Sequence, residues 1–240
     1  MRARSKLLIF LLWFYSFACS AQGPEYWHAV RSDSLTFCSY LILSLNANQG
    51  EIDPAYADRY KHKLTELQVR LAAESDPQID DSLKQISSSL TELQHHIRDD
   101  PAQFPTWLNR ILAAQARLDS FAANRYDGVA PVDQNKLLID ELDLDLGRLL
   151  LIYQARMFGA LNVSAVDNDS DPINHLDGRI LSKFDQYAAL APDHSADLEK
   201  ITRNYWFVRP RLLSQERNAI PSGVAFYIER VRSGLSGLEK

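Results

Sequence analysis

Along most of this chain the apolar positions step by three and four residues, and almost nowhere by two. That is the period of a helix with one buried face. Leu64, Leu67 and Leu71 make one seam, and Leu83, Ile86, Leu90, Leu93 and Ile97 make another. Aspartate–proline pairs stand at the heads of four segments, at Asp53-Pro54, Asp76-Pro77, Asp100-Pro101 and Asp171-Pro172. An aspartate carboxylate accepts from the free amides of a helix start, and proline fits the first helical position because its missing N–H is not needed there. The pattern predicts eight helices, over 25–48, 54–74, 77–98, 101–124, 133–161, 172–190, 194–215 and 220–238.

Eight helices invite a search for internal repeats. Phe104-Pro105 recurs as Ile220-Pro221, 116 residues on. Leu35, Leu41, Ile42, Leu45 and Asn46 match Leu151, Met157, Phe158, Leu161 and Asn162 at the same offset. Asp53-Pro54 matches Asp171-Pro172 at 118, and the seam Leu83, Ile86, Leu90, Leu93, Ile97 matches Leu198, Ile201, Tyr205, Val208, Leu212 at 115. The expected fold is all-α, with two tandem antiparallel four-helix bundle units related by duplication. Their expected spans are 25–124 and 133–240, joined by a glycine- and proline-containing linker at 125–132.

The first 22 residues stand apart. Arg2, Arg4 and Lys6 precede the apolar run of residues 7–18, and small residues follow. This is the layout of an export signal peptide, and the run is shorter than the about 20 residues a membrane-spanning helix needs. Two exits from the signal stand side by side: cleavage after a small residue, or lipid modification of Cys19. The expected location is therefore exported, periplasmic or outer-membrane associated in a bacterium, with no transmembrane span in the mature chain. Cys38 would then have no disulfide partner, and its apolar surroundings read as those of a buried, inert thiol.

Composition is that of an ordinary globular protein, 46% hydrophobic and 24% charged. Loss of the three signal-borne cations leaves 23 basic against 31 acidic residues, a net charge of about −8. An acidic chain of this kind is not a nucleic-acid binder.

The chemical motifs are fragments. Glu92 and His95 form one Glu-x-x-His, but di-iron bundles need two, and the Leu90–Leu93 seam turns this one outward as a solvated pair. Residues 167–171, DNDSD, have the spacing that opens a calcium loop, yet Pro172 and Gly178 occupy the places that need glycine and glutamate. IDELDLDL, residues 139–146, reads as one solvated charged face and one leucine-rich face of the fifth helix. No phosphate-binding loop, nucleophile elbow or haem-attachment motif is present, and no cofactor is called for. The chain reads as a non-enzyme.

One stretch breaks the pattern. In NYWFVRPRLL, residues 204–213, Tyr205 and Val208 claim the inward positions, so Trp206 and Phe207 fall on a flank where the first half carries Thr91 and Glu92. Arg209 and Arg211 border them, and Arg203 and Arg217 extend the border. Pro210 removes one helical hydrogen bond, so a kink or a split near Arg209 is expected. Three uses are open: burial of the rings against the first unit or the linker, a small anionic ligand on Arg209 and Arg211, or contact with an envelope protein. For the rings themselves burial within the chain weighs as much as the other two together. For the chain as a whole, contact with an envelope protein is the leading expectation, a small-ligand-binding, sensor-like bundle is the alternative, and an enzyme of unknown class comes third.

Overall fold

The structure, a computed structural model, describes residues 22–45, 53–96, 103–129, 133–158, 161–163, 171–214 and 221–238. Cys19, the signal segment, Asp100-Pro101, residues 167–170 of the acidic loop and Arg217 lie outside the described residues. Among the described residues the chain is all-α. Its helices are α1 (Pro24–Ser44), α2 (Pro54–Leu71), α3 (Pro77–His96), α4 (Phe104–Asp127), α5 (Gln134–Phe158), α6 (Pro172–Leu190), α7 (Ser195–Leu213) and α8 (Pro221–Gly237). A 3-10 turn, Pro192–His194, leads into α7. No helix among these residues is long and apolar enough to cross a membrane.

The caps are the ones the sequence encodes. Asp53 accepts from the amide of Ala55 at 2.9 Å, Asp76 from Gln78 at 2.9 Å, and Asp171 from Asn174 at 3.3 Å. Each carboxylate satisfies an amide that has no partner inside its helix, and a proline follows it at the first helical position. The seams hold as well: Ile86, Leu90 and Leu93 are buried in α3, as are Leu198, Ile201, Tyr205, Val208 and Leu212 in α7. α4 differs in its end. It continues through Arg125–Asp127, into the segment expected to be linker. Tertiary contacts explain this, because Arg125 meets Asp76 at the head of α3 at 3.5 Å and Tyr126 donates to Asp140 of α5 at 3.0 Å.

In the first half α1 packs on α2 and α4, and α3 packs on α4. In the second half α5 packs on α6 and α8, and α7 packs on α8. These pairs run antiparallel. Asp33 meets Lys63 while Tyr26 meets Arg70 across α1–α2; Glu92 meets Arg110 while Asp76 meets Arg125 across α3–α4. The halves meet through α1 and α5, which run parallel, since His28 lies beside Asp140 and Asp143 and Leu35 beside Gly147.

α5 faces both ways. Leu142, Leu146, Leu149, Leu150 and Tyr153 enter the core of the second half, while Leu144 and Leu151 enter that of the first. A helix with apolar contacts on two sides has no broad face left for solvent. The expectation of a solvated acidic face over residues 139–146 is accordingly overturned: Asp140, Asp143 and Asp145 are buried.

Each buried carboxylate is matched. Asp143 accepts from Arg232 Nε at 2.7 Å and Nη2 at 3.1 Å, and Arg232 also donates to Ser32 Oγ at 2.8 Å and Thr36 Oγ1 at 3.0 Å. One guanidinium of α8 thus ties α5 to α1. Asp145 receives Arg179 and, at 2.8 Å, Lys183, both from α6. Asp119 of α4 accepts from Arg31 at 2.7 Å and from Arg148 at 2.9 Å. Burial pushes the Asp143 carboxyl up, but Arg232 and His28 outweigh it and hold the group well below the usual carboxylate range. Asp119 follows the same balance, with Arg31 and Arg148 outweighing burial. Ion pairs of this kind add little net stability over a good apolar substitute, but breaking one leaves a buried charge, so they select one arrangement of the helices.

Candidate functional site

The charged groups gathered at the junction face one another, although His28 Nε2 makes no hydrogen bond among the described residues. His28 lies 3.5 Å from Asp140 and 3.4 Å from Asp143, and Asp140 also has Lys136 at 3.3 Å. A catalytic constellation needs a group free to meet substrate, together with space for it. Here Asp119, Asp143 and Asp145 each face a cation from a neighbouring helix, and Asp140 faces Lys136 of its own helix. Among the described residues no group of three or more His, Cys, Asp and Glu is arranged to hold a metal ion. Cys38 is buried, and burial pushes its thiol far up, which keeps it protonated.

Glu92 and His95 are both exposed, and Glu92 pairs with Arg110 at 3.0 Å, not with His95. Both residues stand on the outer face as expected from sequence, but they do not pair with each other; Glu92 bridges α3 to α4 instead.

The feature that remains is on the outside of α7 and α8. Trp206 is 52% exposed, Phe207 66% and Phe226 52%. Register sets this. Five residues of α7 at steps of three and four fill the core, and the successive residues 206 and 207 must point away from it. In α8 the buried seam is Val224, Ala225, Ile228, Val231 and Leu235, which leaves Phe226 outside. The two helices run antiparallel, with Ile201 against Gly234 and Phe207 against Tyr227. Phe207 and Tyr227 stand 4.6 Å apart at 44°, and Phe226 meets Tyr227 edge-on at 5.4 Å. The rings of Phe207, Tyr227 and Phe226 therefore form one continuous surface across two helices. Trp206 turns toward α6, beside Phe184 and Leu181.

The arginines divide into two groups. Arg209 is not available to an anionic ligand, contrary to one of the uses open in the sequence. It grips Asp177 with two bonds of 2.7 Å, and the same carboxylate accepts from Tyr205 at 2.7 Å. Its guanidinium also lies 5.2 Å from the Trp206 ring, holding that ring from behind. Burial and the neighbouring Asp177 push the Tyr205 hydroxyl far above its ordinary range, so it remains a donor. Arg203 pairs with Glu199 at 3.1 Å. Arg211 and Arg230 have no carboxylate partner among the described residues, and Arg230 lies 5.5 Å from the Phe226 ring.

Pro210 does not split the helix. α7 continues to Leu213, and the amide of Ser214 closes the last turn on the carbonyl of Pro210 at 3.1 Å. Arg156 donates to the carbonyls of Leu212 and Ser214 at 3.1 and 2.9 Å, capping the helix end from α5. With its end held and its seam buried, the helix absorbs the one lost hydrogen bond.

The register argument had already isolated Trp206 and Phe207. Phe226 and Tyr227 were missed, although the off-seam position of Phe226 was legible in the same way. Comparison of the chain with protein-family models, curated proteins and solved structures gave no match, so its function is argued from its own residues.

Proposed function

We propose that this chain is an exported, non-enzymatic helical-bundle protein that works by contact with another protein of the cell envelope, through the outer face of α7 and α8. The observation that carries the reading is the ring surface of Phe207, Tyr227 and Phe226 across α7 and α8, with Phe207 and Phe226 exposed and Trp206 also exposed on the α6 side of α7. Folding alone gives no reason to leave three large aromatic side chains in water, because each would gain on the order of 2 kcal/mol from burial. Contiguous apolar surface edged by arginine is typical of protein contact sites. The rigid setting adds to this. Tyr205, Asp177 and Arg209 lock α7 to α6 beside Trp206, so binding would cost little ordering of this helix.

The test is site-specific photo-crosslinking in cells. A photoreactive phenylalanine analogue at Phe226 should give a discrete protein adduct, and the same analogue at Val69, 71% exposed on α2, should not. The Trp206→Ala/Phe207→Ala variant should lose that adduct while keeping its helicity. Equal adducts from both positions, or none from Phe226, would remove the proposal.

A further inference from the structure

Among the described residues Arg211 and Arg230 are cations without a carboxylate partner in an acidic chain, and their levels lie on either side of the ring surface. Lys200, Asn204, Phe207 and Arg211 follow one another in steps of four, three and four and so share one flank of α7, the flank on which Phe207 meets Tyr227 of α8. Lys200, Asn204, Phe226, Glu229, Arg230 and Ser233 line a shallow groove between the two helices together with Ile201 and Gly234, and Glu229 is already paired with Arg59 of α2 at 3.7 Å. The helices are close there. A Cβ added at Gly234 would lie 2.6 Å from Ile201 Cγ1, so the absence of a side chain makes the groove. Arg230 borders the groove at the level of Asn204, two helical turns before Arg211, which is about 10 Å along the axis. Between these two levels stand Phe207, Tyr227 and Phe226. Lys200 faces Asp197 at 2.8 Å and Glu229 faces Arg59 at 3.7 Å, which leaves Arg211 and Arg230 as the face's charges without an opposite partner among the described residues.

We infer that the partner, within the contact reading above, presents an amphipathic helix along the α7–α8 groove, with acidic residues two turns apart bracketing apolar ones. Carboxylates at positions i and i+7 of such a helix are about 10 Å apart, the spacing of the Arg230 and Arg211 levels. Apolar residues at i+3 and i+4 point the same way and meet the rings between. A second copy of this chain docking by the same face would set arginine against arginine, so the charges favour a different, anionic partner. The rings stand beside the groove instead of forming the floor of a closed pocket, which suits a rod-shaped occupant laid along it.

The probe is a pair of synthetic helical peptides. Both carry leucine at i+3 and i+4; one has glutamate at i and i+7, the other lysine. Trp206→Phe with Phe207→Trp moves the exposed indole to the ring surface beside the groove as a reporter, since the other described tryptophans, Trp27 and Trp107, are only 4% and 8% exposed. The glutamate peptide should shift the emission to the blue and saturate, and the lysine peptide should bind at least about tenfold more weakly. Arg211→Glu with Arg230→Glu should invert that preference. Equal binding of both peptides, no shift with either, or a shift with anionic phospholipid vesicles alone would overturn the inference. The two readings fail separately. A Phe226 crosslink to an envelope protein that survives Arg211→Glu/Arg230→Glu keeps the contact proposal and ends the acidic-helix one.

Discussion

Replacing Arg232 with methionine isolates what the charged junction does. The wild-type side chain makes two hydrogen bonds to Asp143 and one each to Ser32 and Thr36, joining α8 to α5 and α1. Methionine keeps the unbranched apolar stem and removes all four. Asp143 is then left buried with only His28, at 3.4 Å. Removing one partner of a buried ion pair costs about 3–5 kcal/mol. For a chain of this size that corresponds to a fall in Tm of roughly 6–20 °C. Thr36 loses less, because its hydroxyl also donates to the Ser32 carbonyl at 2.8 Å. Adding Asp143→Leu should restore most of the loss, since an apolar pair in place of a buried ion pair is close to neutral. Urea unfolding of the two single variants and the double variant gives the coupling directly, with the slope checked for two-state behaviour. The pH dependence has a definite sign. Arg232 helps hold the folded carboxyl below its unfolded value, so its stabilisation is present above about pH 4, the range of an unfolded aspartate, and is lost as pH falls below it. The gap between wild type and Arg232→Met should therefore be widest near neutrality and narrow on acidification. A single-variant cost under about 1 kcal/mol, or a double variant as unstable as the two losses summed, would refute the reasoning.

Gly234→Ala should destabilise by about 1–3 kcal/mol, because the new Cβ meets the buried Ile201 side chain. Gly178→Ala, with open space around its Cβ in α6, should instead raise stability by about 0.5–1 kcal/mol; thermal melts of the two variants should move in opposite directions. Trp206→Ala/Phe207→Ala should cost under about 1 kcal/mol, chiefly the Phe207–Tyr227 stacking; a loss of several would mean the rings are covered. If lipid anchors the chain at Cys19, Cys19→Ala should move it from the membrane to the soluble fraction, since each buried methylene of an acyl chain supplies about 0.8 kcal/mol. Wild-type protein already soluble and beginning after residue 20 would end that reading.

Short-range physics put helix starts and inward faces within reach of the sequence. Asp53, Asp76 and Asp171 act on amides two or three residues away, and the seam of α7 follows from helical period alone. The exposure of Trp206 and Phe207 belongs to the same class, because one helix cannot turn Tyr205, Trp206, Phe207 and Val208 all inward. What the sequence did not disclose was which helix stands between the two halves. IDELDLDL has the composition of a solvated face, and only the packing of α1 against α5 buries Asp140, Asp143 and Asp145. Their partners are remote in the chain: Arg232 is 89 residues from Asp143, and its bond to Ser32 spans 200. The availability of the arginines was hidden for the same reason, since Arg209 differs from Arg211 only in having Asp177 of α6 within reach. Local period and capping chemistry are written residue by residue, whereas the pairing of a charge depends on which surface the rest of the chain brings to it.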